Sequence, residues 1–511
     1  MEAKSRRRLI FLGVFFLLVV CYLAIRLYYL QVVENVAWAH QAVNQRSDGL
    51  ALYRQRGAIL DYQGNPLTER DHRPYLAIFP ALLTTEEQKA IRPLLAADQV
   101  WREGDGCSPV TIAEPSAALL RYVSERPMTG VTFCTVPLRY GIKPIAHHLL
   151  GYVHPASGKG LAGLEAVYEN DLTSGQMINL AVMTDALRRP IPGLGWRYQE
   201  ETGTRPGSNL VLTLDLALQS KVEELLDAAR VRKGAVVIME VGTGKVRAMA
   251  SRPVFDPYAP QQSLQDPDRP LQNRALTAYP PGPLLNPIIM AAALESGKFH
   301  PEQIFYDTEA GHGLVTMTQA FAYACPAVFR EVVSALGGKS VSAMAKNCGF
   351  GTATGWEIPG EESGSGITVT PVQIAAAFQV VACNGNYYPP VVVEGLQGAD
   401  GKAEPLVSAG SSPGRPALAG STVVALQEML EANVLYGTGQ QAQIRQGVAG
   451  LGGTVISGQA RDDAKAHSWF GGYAPVAAPR FVGVIFLEDV PDRADAAATL
   501  FAAIMGECLG R

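Results

Sequence analysis

The chain has 511 residues, 48% of them hydrophobic and 18% charged, which allows about three domains with sizeable cores. A net charge of −4 gives no basis for a nucleic-acid partner, which calls for a basic stripe. The one dense positive cluster is Arg6-Arg7-Arg8.

That cluster precedes an uncharged run, Leu9 to Ile25, which resumes after Arg26 through Leu27, Tyr28, Tyr29 and Leu30. The run is at the short end of the roughly 17–25 residues that span a bilayer as a helix. Arg26 can snorkel, and Tyr28 and Tyr29 suit the headgroup belt. A cleaved signal peptide would end in small residues, whereas Arg26-Leu27-Tyr28-Tyr29 is bulky. Cys21, between Val20 and Tyr22, is no lipid-attachment site. The expectation is a retained single-pass anchor over 9–30 in the plasma membrane. Residues 1–8 are then cytoplasmic and the bulk of the chain extracytoplasmic.

Seven cysteines are an odd number for an exported chain. Cys107 and Cys134 are the candidate pair. Cys325, Cys348 and Cys383 fall in apolar stretches and read as buried thiols. The cysteine spacing matches no metal site, and His147 and His148 read as surface or packing residues. No metal and no cofactor are expected.

The clearest break in the chain is Thr202-Gly203-Thr204-Arg205-Pro206-Gly207-Ser208, which is turn chemistry without periodicity. Beyond it, Val211 to Leu214 reads as a strand. Asp215 caps a helix carrying Leu218, Val222, Leu225 and Leu226 at helical spacing. Gly234 to Met239 and Val246 to Ala250 read as strands about a Thr243-Gly244 turn. After a Ser/Gly/Pro/Ala-rich loop, Ser408 to Gly420, come a helix near 422–434 and strands 468–473 and 481–487. A last helix over 496–508 follows, with Asp495 as its cap. Strands at both ends with helices between predict an α+β domain whose antiparallel sheet the C-terminus completes.

Several segments, in one order, resemble the class B penicillin-binding proteins. They are Arg56-Gly57-Ala58-Ile59-Leu60-Asp61 with Gly64 and Leu67, then Ala146 to Val153, then Gly160 to Glu165 with Tyr168-Glu169. The hairpin over 234–250 follows, with Pro253 and Phe255-Asp256-Pro257, and then Asn273-Arg274-Ala275. Gly349-Phe350-Gly351, Thr354-Gly355, Ile367 to Gln373, Asn384-Gly385 and Trp469 to Pro475 complete the series. The resemblance implies an elongated membrane-proximal pedestal, a dimerisation-like module, over 31–204. A transpeptidase-like, penicillin-binding domain would occupy 205–511.

Members of that family acylate a serine, with a lysine three residues on to take its proton; residues so spaced share one face of a helix. Here the matching stretch is Pro281-Gly282-Pro283-Leu284-Leu285-Asn286-Pro287, so Pro283 stands at the serine position and Asn286 at the lysine position. The family's Ser-x-Asn is matched by Ala324-Cys325-Pro326. For its Lys-Thr/Ser-Gly two alignments stand open: Leu451 replaces the lysine if 449–454 is the match, Ile456 if 456–460 is. No lysine in the chain has a serine or threonine three residues before it. The resemblance therefore implies a chain with no catalytic residues, acting as scaffold or regulator of a peptidoglycan-synthesis complex. The membrane and a polytopic glycan polymerase would be its partners. Two alternatives are an active D,D-transpeptidase with an unrecognised nucleophile and a noncovalent binder of peptidoglycan stem peptides. Of the matching residues, Arg56 and Asp61 are expected to pair, Glu165 and Glu169 to form a solvated face, and Trp469 and Phe470 to be core.

Overall fold

The computed structural model describes residues 2–33, 47–95, 109–155, 157–183, 196–200, 207–309, 311–351, 367–398, 401–405, 414–457, 465–490 and 495–510. Residues 202–206, Cys107, Thr354-Gly355 and 458–460 lie outside that set, as do most of the loop 408–420 and the side chains of Ile456 and Ser457.

The N-terminal apolar run is helix α1, Glu2–Tyr28. Its apolar stretch, Phe11–Val32, is 22 residues with a mean hydropathy of 2.3, and none of it is buried. At 1.5 Å per residue it reaches about 33 Å, the thickness of a bilayer's hydrocarbon core. Among the described residues it is the one helix long and apolar enough to cross a membrane.

The chain packs as two units. The first holds 1–55, 72–137 and 174–206, and the second holds 56–71, 138–173 and 207–511. Segments 56–71 and 138–173 thus pack with the C-terminal part rather than with the rest of 31–204. A buried ion cluster ties these two segments to each other. Glu165, with no side-chain exposure, receives Arg56 Nε at 2.6 Å and Arg139 Nε at 2.7 Å. Arg56 also reaches Glu169 at 2.7 Å, and Arg139 reaches Glu69 at 2.8 Å. The expected solvated face is therefore wrong for Glu165. The expected Arg56–Asp61 pair is also corrected: Asp61 is buried and accepts from the backbone N–H groups of Gln63 and Asn65.

The first unit contains two three-stranded sheets, ordered 47–56, 173–183, 196–200 and 110–112, 71–78, 131–138. A cluster around Leu76, Ile78, Ile91, Ile112 and Leu119 forms its core.

In the second unit β1 (Asn209–Leu212) leads into α2 (Leu216–Ala228), where Asp215 Oδ1 accepts from Leu218 N at 2.9 Å, the expected cap. Then come β2 (Gly234–Glu240), β3 (Val246–Arg252) and α3 (Asn286–Glu295). A hairpin, β4 (Ile304–Asp307) and β5 (Gly313–Thr316), precedes α4 (Met317–Ala322), α5 (Pro326–Leu336) and α6 (Gly338–Asn347). The chain continues through α7 (Pro371–Ala382), α8 (Gly420–Tyr436), β6 (Ala449–Ser457), β7 (Lys465–Ala474), β8 (Phe481–Leu487) and α9 (Ala496–Leu509). Asp495 precedes α9 as expected, but its side chain makes no capping hydrogen bond.

An antiparallel sheet ordered β3-β2-β8-β7-β6 forms the centre of this unit. Its hydrophobic strands need cover on both faces. One face packs on α7 and the other on α9. Every residue of α7 is buried, and its start is fixed by a capping box between Thr370 and Gln373. Trp469 and Phe470 are core, 1% and 0% exposed. Gly471 beside them is required by packing, because a Cβ there would lie 2.7 Å from Phe378 Cε2 on α7.

Candidate functional site

The site is built from three pieces of the second unit: the turn into α3, strand β6, and the α4–α5 turn. Gly282 to Leu285 form a 3-10 turn that continues directly into α3. Proline in a first helical turn loses no hydrogen bond that the turn would otherwise make. Gly282 holds φ at +53°, and a side chain there would strike Val455. Pro283 is half-buried against β6: a Cβ on Gly453 would lie 2.6 Å from its Cγ. Asn286, also half-buried, opens α3 one turn later. Leu284 turns into the core at 1% exposure, as do Ile288 to Ala293. Leu285 lines a separate groove with Ile289, Val333 and Val341.

On β6 the side chains alternate. Leu451, fully buried, shares the face of Gly453 and Val455 that meets the 282–285 turn. Thr454 is exposed.

Between α4 and α5 the chain turns sharply at Ala324, whose φ is +51°, a strained value for a residue with a Cβ. Pro326 starts α5 and is exposed, while Cys325 before it is fully buried. Helix α3 packs against both α5 and α6.

Sequence reasoning missed a cluster at this turn. His312, in the β4–β5 loop, places Nδ1 2.8 Å from Asp307 Oδ2 and 3.4 Å from Cys325 Sγ. Tyr323 stacks on the His312 ring with centroids 4.8 Å apart. Burial first, and then the hydrogen bond and charge of Asp307, push the Cys325 thiol up to about 12. It is therefore protonated near neutral pH, and a thiol in that state is a poor nucleophile. The one signal available was Gly311-His312-Gly313, a histidine between two glycines.

His147 is buried and His148 half-buried, both packed edge-on against Phe255, in agreement with a packing role. Burial, with the Arg252 guanidinium second, lowers His147 to about 4. Burial and then His147 hold His148 well below the usual histidine value.

The chain's residues 234–506 match the family model for the penicillin-binding protein transpeptidase domain. The chain belongs to that family, on the class B plan. Among curated relatives it is 26% identical to stage V sporulation protein D of Bacillus subtilis, over 99% of this chain and 85% of that one. It is 25% identical to the peptidoglycan D,D-transpeptidase MrdA of Haemophilus influenzae, over 98% and 91%. A chain of a solved peptidoglycan synthase complex shares its fold with a TM-score of 0.70, at 24% identity and with 98% of both chains covered.

Proposed function

We propose that this chain is a membrane-anchored penicillin-binding-protein homologue of peptidoglycan synthesis that does not acylate and acts as scaffold or regulator of a wall-synthesis complex. The observation that carries the reading is Pro283. The turn, helix and strand around it are of the family's kind, yet the residue facing β6 has no nucleophile. Asn286 supplies no base, since an amide is too weakly basic to take up a proton near neutral pH. Ala324 and Pro326 supply neither hydroxyl nor amide. The face shared by Leu451, Gly453 and Val455 supports the alignment over 449–454, which makes Leu451 the residue in place of the lysine. An apolar side chain there offers no charge to a substrate carboxylate, which argues against retained stem-peptide binding. Loss of a nucleophile that acts with its base as a unit removes on the order of a million-fold in turnover.

Helix α1 supports a single-pass anchor, and the Arg6-Arg7-Arg8 cluster supports a cytoplasmic N-terminus. The first unit, α1 included, then engages a polytopic glycan polymerase, while the silent domain holds the complex together or gates it. The relative in the solved peptidoglycan synthase complex supports that class of partner.

The test is labelling of the full chain in detergent with a fluorescent penicillin, beside an active family member. Absence of label at saturating probe is the expected result. A site-specific covalent adduct favours the active-enzyme reading instead.

A further inference from the structure

The cluster Asp307, His312 and Cys325 belongs to none of the functions above. We infer that it is a binding site for one divalent transition-metal ion of the zinc class, held by a carboxylate oxygen, an imidazole nitrogen and a thiolate.

The three ligand atoms lie within 4.8 Å of one another. In a tetrahedral zinc site, metal–ligand bonds of about 2.0–2.3 Å separate neighbouring ligand atoms by about 3.3–3.6 Å. The His312–Cys325 separation of 3.4 Å already matches, and the His312–Asp307 separation of 2.8 Å must open slightly. His312 has room to do so: it sits in a hairpin loop between Gly311 and Gly313, both at positive φ. The ligands on either side are fixed. Asp307 ends β4 with no side-chain exposure, and Cys325 is buried at the start of α5.

The donor set is mixed in the way zinc prefers, with borderline nitrogen and soft sulfur beside one carboxylate. Two further features suit an ion. Asp307 Oδ1 accepts from the backbone N–H of Glu309 at 3.1 Å, which orients the carboxylate. The Tyr323 ring stacked on His312 holds the imidazole plane. Outer contacts of this kind are what set ligand geometry in metal sites. The His312 side chain is 34% exposed, so water reaches a fourth position. Binding releases the thiol proton to solvent as the Cys325–metal bond forms. The ion clamps the β4–β5 hairpin to the α4–α5 turn, at the stretch where the family's second motif has been lost.

The experiment is cobalt titration of the full chain in detergent, purified without a histidine tag, stripped with a chelator and kept reduced by a phosphine. One equivalent of Co²⁺ is expected to bind, with a thiolate-to-cobalt charge-transfer band and the strong visible bands of four-coordinate cobalt. Zn²⁺ should displace it and raise Tm. Cys325→Ser should abolish the charge-transfer band. His312→Gln, with its apo Tm measured alongside, should weaken binding by more than the roughly 10–100-fold that loss of an outer contact costs. No cobalt uptake, six-coordinate bands without thiolate transfer, or uptake unchanged in His312→Gln each overturns the proposal. The cluster would then be a hydrogen-bonded knot only.

Discussion

Pro283 and Gly453 face each other so closely that a methyl group on the glycine would lie 2.6 Å from Cγ of the proline and 3.1 Å from Cβ. The pair fastens the α3 turn to β6. Gly453→Ala should therefore destabilise the second unit by about 1–3 kcal/mol, the usual penalty of overpacking. Pro283→Ala on the same background should recover part of the loss by removing Cγ. Thermal melts of the two single variants and the double variant measure that coupling. Strictly additive effects would show that the two residues do not press on each other.

Glu165 is the only carboxylate bonded to both Arg56 and Arg139 among the described residues. Removing it leaves two guanidiniums buried without their shared anion. Glu165→Ala should cost about 3–5 kcal/mol, a Tm drop on the order of 10 °C for a unit of this size. A solvated pair would be worth only about 0.2–1 kcal/mol. Differential scanning calorimetry separates the two outcomes.

His147 makes stability depend on pH. Its folded value of about 4 lies below the usual histidine value of 6.5, so in acid the unfolded chain binds a proton that the folded chain refuses. The contribution is fully present above pH 6.5 and is lost as pH falls toward 4, about 3 kcal/mol in all. His148, lowered in the same direction, steepens the loss. Asp227 works against the shift, and Arg252 with it. His147→Gln should flatten the fall in Tm between pH 6.5 and 4; an unchanged slope would assign the titration elsewhere.

The capping box at α7 gives a smaller, local test. Thr370→Ala removes the hydroxyl that accepts from Gln373 N, and should cost about 1 kcal/mol. A neutral effect in thermal melts would mean that burial alone holds the helix start.

Local patterns in the chain announce much of this fold. The Thr243-Gly244 turn between two apolar runs gives the β2–β3 hairpin, and Asp215 before a periodic run gives the start of α2. The order of family motifs places the α3 turn and β7 along the chain. What local pattern cannot show is pairing across long separations. Glu165 meets Arg56 across 109 residues, and nothing at either position distinguishes a buried carboxylate from a solvated one. Asp307, His312 and Cys325 are separated by 5 and 13 residues, spacings that match no metal motif. Only the hairpin and the turn at Ala324 bring them together. Asp495 shows the converse error: a good capping residue in the right place whose side chain does not cap.

If this penicillin-binding fold carries no acylating centre, a β-lactam has no side chain to bind covalently. The full chain in detergent is incubated with a saturating fluorescent penicillin beside an active family member, and labelled protein is read on a denaturing gel. Signal is expected from the active relative and none from this chain. A band whose adduct maps to one side chain of this chain would contradict it and identify the nucleophile.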